Sequence, residues 1–257
     1  MSAVWAIAAN TFREAIRDRI LYLILFFSIA VIGSSEAVSL LAIGDRQRIV
    51  EDLSLFSIQF FGVLTCVFLG ISLLSKEVER RTVYNVLSKP VSRAAFVLGK
   101  GLGLYLTTAA LTASMTAVFA VFLRLRFGEF PPALWRALAL FPFEYLVVAA
   151  LSLLVSAFTR PLLAALLAGT LVVIGHLSEG LKLLAAQPSV AGTFRAKLSY
   201  ALYYALPNLE RFNLKDAAIH RDIIPFTYLA EAAGYGLAYA AAVMVLAVVV
   251  FDRRDLL

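Results

Sequence analysis

Six long apolar segments constrain the fold of this 257-residue chain more than any other feature. A helix needs about 20 predominantly apolar residues to cross roughly 30 Å of hydrocarbon. The segments at residues 20–43, 53–75, 102–123, 137–158, 161–180 and 228–251 reach or approach that length. None alternates apolar and polar residues as a barrel strand does, and backbone groups in lipid must pair within their own segment. The sequence therefore predicts an all-α integral membrane protein, one domain over residues 1–257 with six transmembrane helices.

The composition supports a membrane protein. Hydrophobic residues make up 61% of the chain and charged residues 16%, whereas soluble domains average about 45–50% and about 25%. The polar surface is therefore too small to cover a water-exposed globule of this size. The net charge of +6 fits basic residues that flank the spans near anionic lipid. We predict contacts with membrane lipid and no nucleic-acid partner.

Two regions outside the spans have helical patterns. Over residues 3–18, a spacing of about 100° per residue places Trp5 and Phe12 on one arc and charged residues on the other. This pattern predicts an elbow helix in the membrane interface, the alternative being a disordered tail. Between the fifth and sixth spans, residues 181–227 contain an apolar repeat from Phe194 that ends at Pro207. We expect an interfacial or re-entrant helix followed by a polar stretch at 208–222; a short soluble lid is the alternative.

The distribution of basic residues predicts the orientation. The total on the two sides is nearly equal, but the loop between the second and third spans holds six Lys and Arg, against three in the next loop. The first span has three basic residues before it and two after it. The positive-inside rule therefore favours two cytoplasmic termini and an extracytoplasmic segment 181–227.

Motifs for nucleotide or metal chemistry are missing from the sequence. It contains no GxxxxGK[ST], HExxH or GxSxG motif, and the single cysteine, Cys66, lies inside an apolar block. The two histidines, His176 and His220, are 44 residues apart without a cysteine near either. We predict that this chain is not an enzyme and has no catalytic, cofactor or metal site. If it is energised, another polypeptide carries the nucleotide chemistry.

Among the ionisable residues within the predicted spans, three are candidates for a translocation or gating role: Glu144, His176 and Glu179. Burying such a group in lipid is costly and often marks function. His176 and Glu179, three residues apart, would share one face of a continuous helix. The alternatives are a structural contact to a neighbouring helix for Glu144, and a hydrogen-bonded helix cap near the outer surface for the other two.

A compact charged stretch at residues 76–93, which we name the coupling segment, separates the second and third spans. Most of it reads Glu77-Val78-Glu79-Arg80-Arg81-Thr82-Val83-Tyr84-Asn85-Val86-Leu87-Ser88-Lys89-Pro90-Val91-Ser92-Arg93. This stretch resembles the first cytoplasmic loop of type 2 ABC transporter permeases. Further likeness lies in the N-terminal helix, in residues 174–179 and 206–212, and in the closing residues 251–256. The chain is most similar to permeases of multicopper-enzyme and nitrous-oxide-reductase maturation systems.

The resemblance implies a role for the coupling segment. In such permeases a short helix parallel to the membrane inserts into a groove of a separate ATPase subunit, which holds the ATP and Mg²⁺. The implied contact residues are Glu77, Glu79, Arg80, Arg81, Thr82, Tyr84, Val86, Leu87 and Pro90. The charged ones would set the register, Tyr84 and the aliphatic ones would form the buried anchor, and Pro90 would end the helix.

The resemblance also implies a function for the whole chain. We expect a permease subunit that dimerises with an identical or related copy, couples to a separate ATPase, and exports an unidentified substrate across the cytoplasmic (inner) membrane. Two other classes stay open. A membrane-embedded enzyme, such as a lipid-modifying transferase, would need acidic or histidine residues clustered at one membrane face, and here they are scattered. A membrane assembly factor without transport is the third.

Overall fold

The computed structural model describes residues 2–41, 45–79, 92–187 and 193–253. In these ranges the chain forms ten α-helices and one 3₁₀ turn, and no strand. The helices are α1 (Ala3–Ile16), α2 (Arg19–Leu41), α3 (Arg46–Glu79), α4 (Arg93–Phe127), α5 (Pro132–Phe158), α6 (Pro161–His176), α7 (Ser178–Ala186), α8 (Phe194–Ala205), α9 (Lys215–Ile219) and α10 (Phe226–Asp252). The 3₁₀ turn covers Glu210–Phe212.

Five helices are long and apolar enough to cross a membrane: α2, α3, α4, α5 and α10. The helices α6 and α7 pass the same test together, although the chain bends by 53° between them. The described residues are therefore all-helical, with five or six candidate spans, as the sequence predicts at that level. Both α3 and α4 extend well beyond the apolar segments that the sequence marks, by seven and nine residues at their N-termini.

Local sequence signals set several helix ends. Ser92 caps α4, since its side chain accepts a hydrogen bond from the backbone N–H of Ala95 at 3.1 Å. The same helix ends at Gly128, whose φ of 83° is left-handed and suits glycine. Pro132 and Pro161 begin α5 and α6 at a position where the missing N–H costs nothing. These signals give the antiparallel connections between neighbouring helices.

The centre of the bundle is formed by α3 and α5. In the most apolar stretch of each, 72% of the residues are buried, against 28% in α2 and α10. The two central helices approach closely at Gly62, where any added Cβ would overlap the ring of Tyr145. The Tyr145 hydroxyl donates a hydrogen bond to Ile58 O at 3.0 Å. The core therefore lies between α3 and α5, with α10 packed on α5 and α2 packed on α3.

The amphipathic helix α1 packs along α4. Two glycines one turn apart, Gly99 and Gly103, permit the approach. A Cβ on Gly99 would lie 2.7 Å from Ile7 Cβ, and one on Gly103 would lie 2.7 Å from Ala8 O. The buried Lys100 between them pairs with Glu14 at 3.6 Å. The predicted elbow helix thus has one face on the protein.

The second half of the segment between α6 and α10 differs from the predicted polar stretch. Leu209, Phe212 and Ala218 are completely buried, and α9 packs against α3 and α5. The backbone N–H of Leu209 donates to Gly175 O at 3.0 Å. This part of the segment is therefore packed against the helical bundle.

Candidate functional site

Three side chains from three helices meet inside the bundle: Gln59 of α3, Glu144 of α5 and His176 of α6. Gln59 Nε2 donates a hydrogen bond to Glu144 Oε2 at 2.8 Å. His176 Nε2 lies 3.1 Å from Glu144 Oε1. Glu144 is completely buried, Gln59 is 5% exposed and the His176 side chain is 28% exposed. We name these three residues the polar cluster.

The orientation of the His176 ring is fixed by its own helix. Nδ1 lies 3.0 Å from Val172 O, and a carbonyl oxygen can only accept, so Nδ1 carries hydrogen. Nε2 then faces Gln59 Nε2 at 3.4 Å and Glu144 Oε1 at 3.1 Å. Glu144 Oε1 accepts no aligned hydrogen bond from the described residues, although it is as close to the imidazole as an ion pair. One proton placed between Nε2 and Oε1 would satisfy both atoms.

A groove of about 540 Å³ between α3 and α6 ends at the polar cluster. Its walls are apolar along most of their length, and Phe56 and Phe60 stack on one side with ring centroids 5.6 Å apart. Gly169 leaves the opposite wall open, because a Cβ there would meet nothing within 4 Å. Lys215 lies at the polar end, with its ammonium 5.4 Å from the Phe56 ring centroid. The groove therefore joins an apolar surface to a small polar end.

The structure brings Glu144 and His176 together, but it separates Glu179 from them. The expectation that His176 and Glu179 share one helical face is wrong, because α6 ends at His176 and α7 begins at Ser178 after a bend. Glu179 instead accepts a hydrogen bond from Asn208 Nδ2 at 2.9 Å. Glu179 therefore anchors the segment that follows α8. The third member of the polar cluster is Gln59 and not Glu179.

A second buried contact was not predicted from the sequence. Both terminal nitrogens of Arg221 donate to the carboxylate of Glu51 at 2.7 Å, and Gln47 Nε2 donates to the same carboxylate at 2.9 Å. Glu51 is completely buried. The bidentate hydrogen bond and the charge of Glu51 raise the pKa of Arg221 above its usual range. This ion pair ties the turn after α9 to the start of α3.

Signals for these missed residues are weak in the sequence. Gln59 is a polar residue inside an apolar block, but it is neutral and does not stand out among ionisable candidates. Glu51 lies two residues before the predicted second span, and Arg221 lies 170 positions away in a polar stretch. Neither pattern indicates a partner. Only the fold brings them together.

The implied contact residues of the coupling segment lie mostly beyond the part of the chain that the structure describes. Glu77 and Glu79 belong to the last turns of α3. Arg80, Arg81, Thr82, Tyr84, Val86, Leu87 and Pro90 lie outside the described residues. The segment leaves one helix of 34 residues and enters another of 35 at Arg93.

The described ranges were compared with the residue clusters that bind metal ions. There, no three His, Cys, Asp or Glu side chains are grouped so that they could hold a metal ion. Cys66 is completely buried and donates weak hydrogen bonds to Thr108 Oγ1 and Tyr145 O, both at 3.5 Å. Its contacts are those of a packing residue.

Comparison with known proteins identifies the family. The model of the ABC-2 family transporter proteins matches residues 5–256, almost the whole chain. No curated protein matches the chain. The several long apolar helices and this match indicate an integral membrane protein that forms the transmembrane component of a transporter. The chain belongs to the ABC-2 family of transporter proteins.

Proposed function

We propose that this protein is the permease subunit of an ATP-driven ABC exporter in the cytoplasmic (inner) membrane. Two copies, or one copy and a related chain, pair with two copies of a separate ATPase that holds ATP and Mg²⁺. Both termini face the cytoplasm, α6 with α7 forms the fifth of six spans, and α8 lies at the outer surface. Among ABC-2 proteins, the likeness of the coupling segment favours the branch of the multicopper-enzyme and nitrous-oxide-reductase maturation permeases.

The observation that carries this proposal is the continuity of α3. At 1.5 Å per residue its 34 residues measure about 51 Å, roughly 20 Å more than the hydrocarbon core. The helix therefore reaches out of the membrane and into the coupling segment without a break before Glu79. On the other side of the segment, α4 begins directly at Arg93 with a capped first turn. A force applied between them acts at once on two membrane-crossing helices.

The coupling segment has the chemistry of a docking element. Glu77, Glu79, Arg80 and Arg81 provide charges of both signs for register, since charged pairs at the rim of an interface contribute mainly to specificity. Tyr84, with Val86 and Leu87, provides the aromatic and aliphatic anchor that interface energetics require. Thr82 begins this anchor and Pro90 ends it.

The groove between α3 and α6 is the translocation surface in this proposal. Gln59, His176 and Lys215 form its polar end, and Glu144 lies behind them, where it joins α5 to His176 of α6 and to Gln59 of the helix that the ATPase moves. Glu179 acts one step away, through the segment that it holds at Asn208. Movement of α3 during ATP-driven closure would then change the groove, as a rigid-body switch does.

The docking role can be tested on the complex. We expect that the double charge reversal Glu79→Lys/Arg80→Glu and the truncation Tyr84→Ala each reduce co-purification of the co-expressed ATPase subunit at least tenfold. A matched control is Glu231→Lys, an exposed charge reversal near the start of α10. ATPase binding and stimulation that stay unchanged in both variants would refute the docking assignment.

Reconstituted vesicles separate the other classes. An exporter moves substrate only with ATP and the ATPase subunit, whereas an assembly factor binds the partner without net movement. A lipid-modifying transferase would change the lipid composition without any ATPase. Product analysis of vesicles that contain the permease alone therefore tests the enzyme alternative directly.

A further inference from the structure

The polar cluster has one more acceptor than its donors can satisfy. Val172 O receives the Nδ1 hydrogen of His176, and Glu144 Oε2 receives a hydrogen from Gln59. The second amide hydrogen of Gln59 can reach Nε2 of His176, 3.4 Å away, which leaves Oε1 of Glu144, 3.1 Å from Nε2, without a donor. If both were unprotonated, a lone pair would face a buried carboxylate oxygen. That arrangement is unfavourable for a completely buried carboxylate.

The groups around Glu144 leave His176 as the partner for its charge. Within the described ranges, His176 is its one ion-pair partner. Nearby, the thiol of Cys66 and the hydroxyl of Tyr145 both donate to other oxygens. Glu210, on the 3₁₀ turn, places a further negative charge near His176. Lys215 lies at the end of the groove, above the ring of Phe56.

We propose that the polar cluster is a proton-binding site, in which one proton shared between Glu144 Oε1 and His176 Nε2 holds α6 against α5. Whether the proton lies on the carboxylate or on the imidazole, the pair stays neutral overall and makes one hydrogen bond. Loss of the proton leaves one uncompensated negative charge in the core of the bundle. The position of α6 against α5 thus depends on whether the site holds its proton.

The groove gives the proton a route into and out of the site. The His176 side chain is 28% exposed and lines the groove with Gln59 and Lys215. A proton that leaves Nε2 would leave through the groove, and the same path serves its return. Glu144, completely buried, exchanges its proton only through His176. Widening of the groove between α3 and α6 would therefore change access to the site.

The pH dependence has a defined sign. Well above pH 6.5, an unfolded histidine and an unfolded glutamate hold almost no proton between them, whereas the folded pair in this proposal holds one. The folded state then binds one more proton than the unfolded state, so stability falls as the pH rises. The unfolding equilibrium constant increases by up to about tenfold per pH unit until the folded site also loses its proton.

The test uses the full-length protein in mixed micelles, with SDS titration from pH 6.5 to 9.5. Glu144→Gln replaces the shared proton with an amide N–H that can donate to Nε2, so we expect its unfolding equilibrium to be nearly independent of pH over this range. Gln59→Glu adds a second carboxylate and should steepen the dependence. Glu231→Gln, an exposed and matched change, should retain the dependence of the unaltered protein.

A second measurement reads the proton positions directly. The chain has only two histidines, and His220 is exposed, so His220→Gln leaves His176 as the single imidazole for ¹⁵N NMR. At the alkaline end, the ring should carry its hydrogen on Nδ1. A neutral ring with hydrogen on Nε2, or equal pH dependence in the unaltered protein and Glu144→Gln, would overturn the proposal. Both readouts are independent of transport, so either result leaves the proposed function standing.

Discussion

The ion pair between Glu51 and Arg221 offers a stringent test of how the segment between α8 and α10 is attached to the bundle. Removing the guanidinium with Arg221→Ala leaves a completely buried carboxylate with Gln47 as its one remaining partner among the described residues. Breaking a buried pair in this way costs about 3–5 kcal/mol. The Arg221 side chain is 36% exposed, so part of the charge interaction is screened. We therefore expect a loss at the lower end, about 3 kcal/mol.

The backbone at Arg221 adds a second, separable contribution. Its φ of 62° is left-handed, a conformation that costs a non-glycine residue about 1–2 kcal/mol. Arg221→Gly removes the same guanidinium but also relieves this strain. The glycine variant should therefore be more stable than Arg221→Ala by about 1 kcal/mol. Such a difference would measure the cost of the left-handed backbone separately from the ion pair.

A double-mutant cycle gives the decisive comparison. Glu51→Gln removes the buried charge, so Arg221→Ala should cost much less in that background, with a coupling energy above 1 kcal/mol. The assay is reversible SDS titration in mixed micelles near pH 7, followed by limited proteolysis of residues 206–225. Additive losses, with coupling below about 0.5 kcal/mol, would refute the assignment of the stabilisation to this pair. Lys in place of Arg221 should recover only part of it, because an ammonium cannot bind both oxygens in the same way.

Two further predictions concern packing. Gly103→Leu should displace α1 from α4 and destabilise the protein by about 1–3 kcal/mol, because the new side chain would meet Thr11 Cβ and Ala8 O. The assay is thermal unfolding. The matched control is Gly33→Leu on α2, where a Cβ meets nothing within 4 Å. Cys66 should resist maleimide in the folded protein and react only on unfolding, since it is completely buried. Labelling at the rate of a free thiol under native conditions would contradict the packing of α3 on α5.

The helical class follows from the sequence because apolar length is a local property. Each long span is marked by its own residues, and Pro161 marks the start of α6. The end of α6 is different. The backbone N–H of Leu209 donates to Gly175 O. This close approach requires glycine at position 175, because a Cβ there would lie 2.8 Å from Leu209 Cγ. That bend depends on a residue 34 positions away, so no local pattern predicts it.

Two residues of the candidate site could be predicted from the sequence, but their contacts could not. Glu144 and His176 could be selected from the sequence because an ionisable residue within an apolar block is unusual. Their contact could not be predicted, since it depends on how α5 and α6 pack. Gln59 was missed because a neutral amide does not stand out, yet it supplies the hydrogen bond that orients Glu144. The residue types indicate polar function, and the fold decides which of them meet.

The position of α3 links the two buried polar contacts to the coupling segment. Near its start, Glu51 binds Arg221; about two turns later, Gln59 binds Glu144; and its last turns enter the coupling segment. Hydrogen bonds to buried charges are directional and costly to break, so α3, α5 and the turn after α9 should move as one body. In contrast, the contact of α6 with this body includes a proton that can leave. A displacement of α3 would therefore first change the width of the groove between α3 and α6, where the polar cluster lies.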